Sequence, residues 1–111
     1  MDFTLSAEHQ ELRRTLREFF TREAPLEEVT RFDREEEFNS ELYRKAAEIG
    51  LCGMAFGEEY GGSNADQLSL CIAVEEVARA SSALAYAWLP TATFCAKGIA
   101  RFGTEEQKKE L

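Results

Sequence analysis

The sequence predicts an all-α fold, an antiparallel bundle of about five or six helices. Three observations carry this. Apolar residues recur at three- and four-residue spacing along most of the chain, which lays one stripe on each helix. No period-two alternation runs beyond a few residues, so strands are not expected. Capping residues, two prolines and seven glycines fall between the stripes, where helices should start and stop.

Leu12, Leu16, Phe19 and Phe20 mark the first helix, with Ser6 as its N-cap and Glu8 placing negative charge in the first turn. Pro25 has no N–H to donate and restricts Ala24 before it, so it breaks or restarts the helix. Leu26, Val29 and Phe32 then form a short second helix, and residues 33–37 read as a solvated end or turn. Asn39 or Ser40 caps a third helix with the stripe Leu42, Ala46 and Ile49. Gly50 stops it in the left-handed conformation that glycine tolerates. Residues 51–56 read as a buried connector, and residues 57–64 form the longest irregular stretch.

A fourth helix starts near Asp66, with Leu70, Cys71, Val74, Val77 and Ala78 as its expected buried side. Ser81 and Ser82 break it and cap a fifth. That fifth helix is apolar nearly all round, from Ala83 to Leu89, so it is buried on several sides or packs against something further. Pro90 kinks or restarts it and Gly103 ends it. Thr104 and Gln107 form a capping box that opens a sixth helix. The sixth helix reaches Leu111 about two turns later, and a helix that short is marginal. It reads either as an interrupted helix of a larger design or as a short terminal helix that frays.

The length of 111 residues suits one domain, and 44% apolar residues suffice for its core. A net charge of −8 argues against a nucleic-acid backbone or an anionic membrane surface as partner. No run of about 18 apolar residues exists, so no membrane-spanning helix is expected. The opening residues 1–4 are acidic and begin no secretory signal. The three cysteines, Cys52, Cys71 and Cys95, are odd in number and widely spaced, which points to a reducing compartment, the cytoplasm, with thiols as core or pocket lining.

No complete chemical site is legible. The single histidine, His9, has no second ligand at metal spacing and is expected to face solvent. Gly57, Gly61 and Gly62 fit no phosphate-binding motif and read as turn residues. Glu75 and Glu76 are adjacent on a helix, so at least one should face solvent. Trp88 reads as core, and whether Tyr86 or Trp88 projects into a pocket is open. Catalytic residues and metal ligands are therefore both expected to be none.

The residues nevertheless carry a family likeness. The opening residues 3–13, Arg17-Glu18-Phe19 with Ala24-Pro25, and Phe32-Asp33-Arg34 leading to residues 41–45 are the first three pieces. Ile49-Gly50-Leu51 through Glu58-Glu59-Tyr60-Gly61-Gly62, then Glu75-Glu76-Val77-Ala78-Arg79, then residues 101–108 complete six in register. Together they resemble the N-terminal helical domain of acyl-CoA dehydrogenases across residues 1–111. Two departures stand out: Gly57 where the family usually has proline, and Asn64 where glycine is common.

The resemblance implies an all-α domain followed, in the family, by an FAD-binding β-domain and a C-terminal helical domain. It implies an FAD-dependent parent enzyme that dehydrogenates an acyl-CoA thioester, hands electrons to an electron-transfer flavoprotein and assembles as a homo-oligomer, a tetramer in the family. It implies that Ala85, Tyr86, Leu89, Pro90 and Thr93 line the acyl-chain pocket, with ordinary core packing as the alternative for each. The chain alone should be inactive and bind flavin very weakly. A stand-alone helical interaction module, or one subunit of a split enzyme, is the competing class.

Overall fold

The computed structural model describes residues 2–110. The ends of the first and last expected segments, Met1 and Leu111, lie outside them. Among the described residues there are helices and turns and no strand. Six helical units follow the expected order, the fifth of them long and interrupted by a wide turn.

Helix α1 (Ala7–Glu23) is capped by Ser6, whose Oγ accepts from the His9 N–H. It buries Leu16, Phe19 and Phe20, three of the four expected stripe residues. Phe19 and Phe20 meet edge to face, 4.9 Å between ring centres. Helix α2 (Leu26–Arg34) restarts directly after Pro25 and buries no residue fully. Its end at Arg34 is followed by Glu36 at φ 54, the turn expected from the polar run. Asn39 caps α3 (Ser40–Glu48) through a 3.0 Å bond from the Leu42 N–H. Leu42 and Ala46 are buried as expected, whereas Ile49 lies beyond the helix end and is half exposed. Gly50 takes φ 93, the left-handed stop.

The connector is a 3₁₀ turn over Leu51–Gly53, with Leu51 and Met54 buried. The irregular stretch contains a second such turn, Glu58–Tyr60, and then folds back onto the connector. Ser63, Asn64 and Ala65 donate their N–H groups to the carbonyls of Gly53, Phe56 and Met54. That return brings the Gly62 backbone against Gly53, and a Cβ on Gly62 would overlap the Phe56 and Gly53 carbonyl oxygens. Glycine is required there by close approach rather than by backbone angle.

Asp66 caps α4 (Gln67–Ala80) by accepting from the Ser69 N–H at 2.7 Å. This helix packs along α1 and forms the centre of the domain. Its buried residues are Leu70, Ile72, Ala73, Glu76 and Val77. Cys71 and Ala78, expected inside, are exposed, and Val74 is half-buried, because the buried face is turned by about one residue from the expected stripe. What turns it is a polar anchor. Glu76 is 2% exposed and faces Arg17 of α1, with the guanidinium Nε and Nη2 at 3.1 and 2.8 Å from its two oxygens. Its neighbour Glu75 faces solvent and pairs with Arg13, as adjacency on a helix requires.

His9 corrects a second expectation. It does not face open solvent: its Nε2 lies 3.1 Å from the Asp66 carboxylate and its Nδ1 2.6 Å from Ser6 Oγ. The first turn of α1 is thereby tied to the N-cap of α4. The thiols divide. None lies in the core; Cys52, half-buried with its Sγ 3.9 Å from the Tyr43 hydroxyl, and Cys71, exposed, each border a cavity as the pocket-lining alternative expects, whereas Cys95 is simply exposed.

Candidate functional site

The unit that carries the candidate site runs from Ser82 to Phe102: α5 (Ser82–Leu89), a π-helical turn (Pro90–Cys95) and α6 (Ala96–Phe102). Ser81 sits at the corner in extended backbone, closing α4 and capping α5, its Oγ accepting from the Leu84 N–H. On the core side α5 buries Leu84, Ala85 and Trp88. Trp88 is the inward-facing aromatic, its Nε1 donating to the Leu51 carbonyl at 3.2 Å. Tyr86 is the outward-facing one, 82% exposed.

Pro90 accounts for the wide turn. It brings no N–H to the ladder, so the helix must re-satisfy its carbonyls otherwise. Thr91 Oγ1 donates to the Ala87 carbonyl at 3.0 Å, and Thr93 Oγ1 donates to the Leu89 carbonyl. The single wide turn between two α-helical stretches is the form in which π geometry occurs, frequently at functional sites.

The five expected pocket residues separate into two rows. Ala85, Leu89 and Thr93 stand four apart on one side; Ala85 and Thr93 are buried and Leu89 is half-buried. Tyr86 and Pro90 form the next row, which continues into Phe94, 70% exposed. Leu89 and Thr93 border an open recess of about 370 Å³ between α4 and this unit. Leu70, Cys71, Val74 and Phe94 supply the rest of its apolar lining, and Gln67, Glu75 and Lys97 stand around it. Ala85, Tyr86 and Pro90 do not line it. Phe94, Val74 and Lys97 were missed from sequence. Only Phe94 had a signal, its spacing of four from Pro90.

Cys71 is the nucleophile at the recess, and among the described residues no hydrogen bond joins its thiol to a base and no group of three metal-ligating side chains forms. What it offers is apolar contact beside a helix whose outer row lacks a partner.

A profile of the acyl-CoA dehydrogenase N-terminal domain matches residues 6–111. The chain belongs to the acyl-CoA dehydrogenase family. It is similar to a protein of Bacillus subtilis named as a probable acyl-CoA dehydrogenase, 38% identical over 98% of this chain and 28% of that protein. It is similar to the short-chain specific acyl-CoA dehydrogenase of Clostridium acetobutylicum, 36% identical over 99% of this chain and 29% of that protein. The solved structure of butyryl-CoA dehydrogenase from Megasphaera elsdenii superposes with a TM-score of 0.86 at 35% identity, covering all of this chain and 30% of that one. The chain thus spans under a third of the length of these relatives.

Within an acyl-CoA dehydrogenase domain, the two departures from the family pattern become intelligible. Gly57 has φ −68, the value a proline ring imposes, so the proline common in the family fits this backbone. Asn64 has φ 48, a left-handed value that glycine adopts freely and asparagine tolerates. The glycines of this loop form no phosphate cradle, because Gly62 is closed against Gly53 and Phe56.

Proposed function

We propose that this chain supplies one wall of the acyl-chain chamber of an FAD-dependent acyl-CoA dehydrogenase. The wall is built by Leu89, Pro90 and Thr93 on the wide turn, with Ala85 and Tyr86 one turn earlier. The observation that carries the reading is the unpartnered apolar row Tyr86, Pro90 and Phe94 beside the recess bordered by Leu89 and Thr93. A monomeric domain leaves few such large apolar groups together unless a ligand or another domain covers them.

The residues of this wall bind and exclude water; none of them moves a proton or a hydride. Flavin, when held by the rest of the parent enzyme, would supply the hydride acceptor, and the base for the α-proton would come from outside these residues. Transfer of electrons to an electron-transfer flavoprotein, homotetrameric assembly and a cytoplasmic site complete the proposal. They rest on family membership together with the absence, among the described residues, of a helix long and apolar enough to cross a membrane.

A chimera tests the reading. This chain replaces the matching N-terminal part of the Megasphaera butyryl-CoA dehydrogenase, and dye reduction is followed across acyl-CoA lengths. The expected result is flavin-loaded, thioester-dependent activity whose chain-length preference shifts with Leu89→Ala and Tyr86→Ala. A folded, yellow chimera whose length preference ignores both substitutions overturns the wall assignment.

A further inference from the structure

On the reverse side of the same unit lies a second cavity, separate from the recess. It measures about 210 Å³ and is bounded by Ala92, Ala96 and Ala100, four apart on one row, with Phe56, Tyr43 and Cys52 opposite. The three alanines and Gly53 leave the space that larger side chains would fill. Ala92 and Ala96 are themselves buried, so the cavity reaches the core rather than lying on the surface.

Its polar groups are unequal. Tyr60 donates its hydroxyl to Glu105 at 3.0 Å, and Lys108 lies 3.5 Å from the same carboxylate, so both are already engaged. Tyr43 differs. Its only partner among the described residues is the Cys52 thiol at 3.9 Å, a long and weak contact whichever of the two donates. Half-buried against an apolar wall, the hydroxyl is therefore poorly served, and a carbonyl oxygen would take its proton in preference to sulfur.

We infer that this cavity binds a small neutral molecule: one compact apolar ring carrying a single hydrogen-bond acceptor that meets the Tyr43 hydroxyl. An apolar cavity of about 150 Å³ holds benzene, so this one accommodates a ring with a short substituent. Charged ligands are excluded by the apolar lining, which provides no free counter-charge. The inference does not depend on the acyl-chamber reading, since the two spaces lie on opposite sides of the helix.

The experiment titrates the full chain with acetophenone, and with ethylbenzene as the matched ring lacking the acceptor, by ¹H–¹⁵N NMR and thermal shift. Saturable acetophenone binding is expected, with shifts centred on the amides of residues 92–100. Tyr43→Phe should weaken acetophenone about fivefold and leave ethylbenzene unchanged. Ala96→Leu, or Ala100→Val if the first fails to fold, should abolish both. No saturable binding, shifts elsewhere in the chain, or folded cavity-filling variants that bind as before would overturn the site. Equal binding of both rings with no effect of Tyr43→Phe would overturn the ligand class.

Discussion

Arg17 of α1 holds Glu76 of α4 through its guanidinium Nε and Nη2, and among the described residues Glu76 is the one carboxylate in the core. The pair joins the two helices that pack most extensively. It also fixes which face of α4 turns inward, since a carboxylate at this depth is tolerated only beside its cation.

Glu76→Ala leaves the inner side of Arg17 without its partner and removes the negative charge 3.8 Å from the buried Arg13 Nε, which makes no hydrogen bond of its own. The expected loss is about 2 kcal/mol, less than for a fully buried pair because Arg17 reaches solvent. Urea unfolding of Glu76→Ala, Arg17→Ala and the double variant measures it. Additive losses would show that the two side chains are not coupled.

Three glycines separate three backbone demands. Gly62→Ala forces a methyl into two carbonyl oxygens and should cost about 2–3 kcal/mol, because neither oxygen belongs to a flexible side chain. Gly50→Ala meets no atom and costs only the left-handed penalty, about 1–2 kcal/mol. Gly57→Pro should stabilise by about 0.5 kcal/mol, since its φ already suits proline and its N–H makes no backbone bond. Thermal midpoints in that order check all three.

The thiols should report the turned face of α4. Cys71 and Cys95 are exposed and should react rapidly with a disulfide reagent in the native protein. Cys52, half-buried against Tyr43, should react slowly until the chain unfolds. Three equally slow thiols would contradict the placement of α4.

Acid should destabilise the fold in a defined direction. Hydrogen bonds from Ser69, and then His9, hold Asp66 below the ordinary 3.8. Glu11 beside Arg14, Glu23 beside Lys45, Glu41 beside Arg44 and Glu105 beside Tyr60 are held below 4.5 in the same way. A depressed folded value means that the stabilisation is complete above the unfolded value and is lost as pH falls through the folded one. Unfolding midpoints should therefore stay level from neutral pH down to about 5 and drop below about 4. Asp66→Asn should flatten part of that drop.

The helix order, the caps at Ser6 and Ser81, the choice of Asn39 or Ser40, the start near Asp66 and the closing capping box could be read from the sequence, because each rests on local hydrogen bonding within four residues. The face of α4 could not. Hydrophobicity placed Cys71 and Ala78 inside, while the buried Arg17–Glu76 pair spans 59 residues and has no local signature. His9 was misplaced for the same reason, since its partner Asp66 is 57 residues away. The residues alone gave no site; the sequence placed a break at Pro90 but not the wide turn that follows it, because its extra residue is set by backbone bonding through Pro90–Cys95. Family resemblance supplied the region, and the backbone decided which members share a recess.

The wide turn at Pro90–Cys95 also makes the chain's length at that point a fixed quantity. Removing one residue from it would let the helix close into regular α geometry and would swing everything beyond through about 100°. Ala96 would leave the interior, and the Thr104–Gln107 box would open toward a different neighbour. Indels that the loop at 57–64 could absorb would here reorient everything from Ala96 onward.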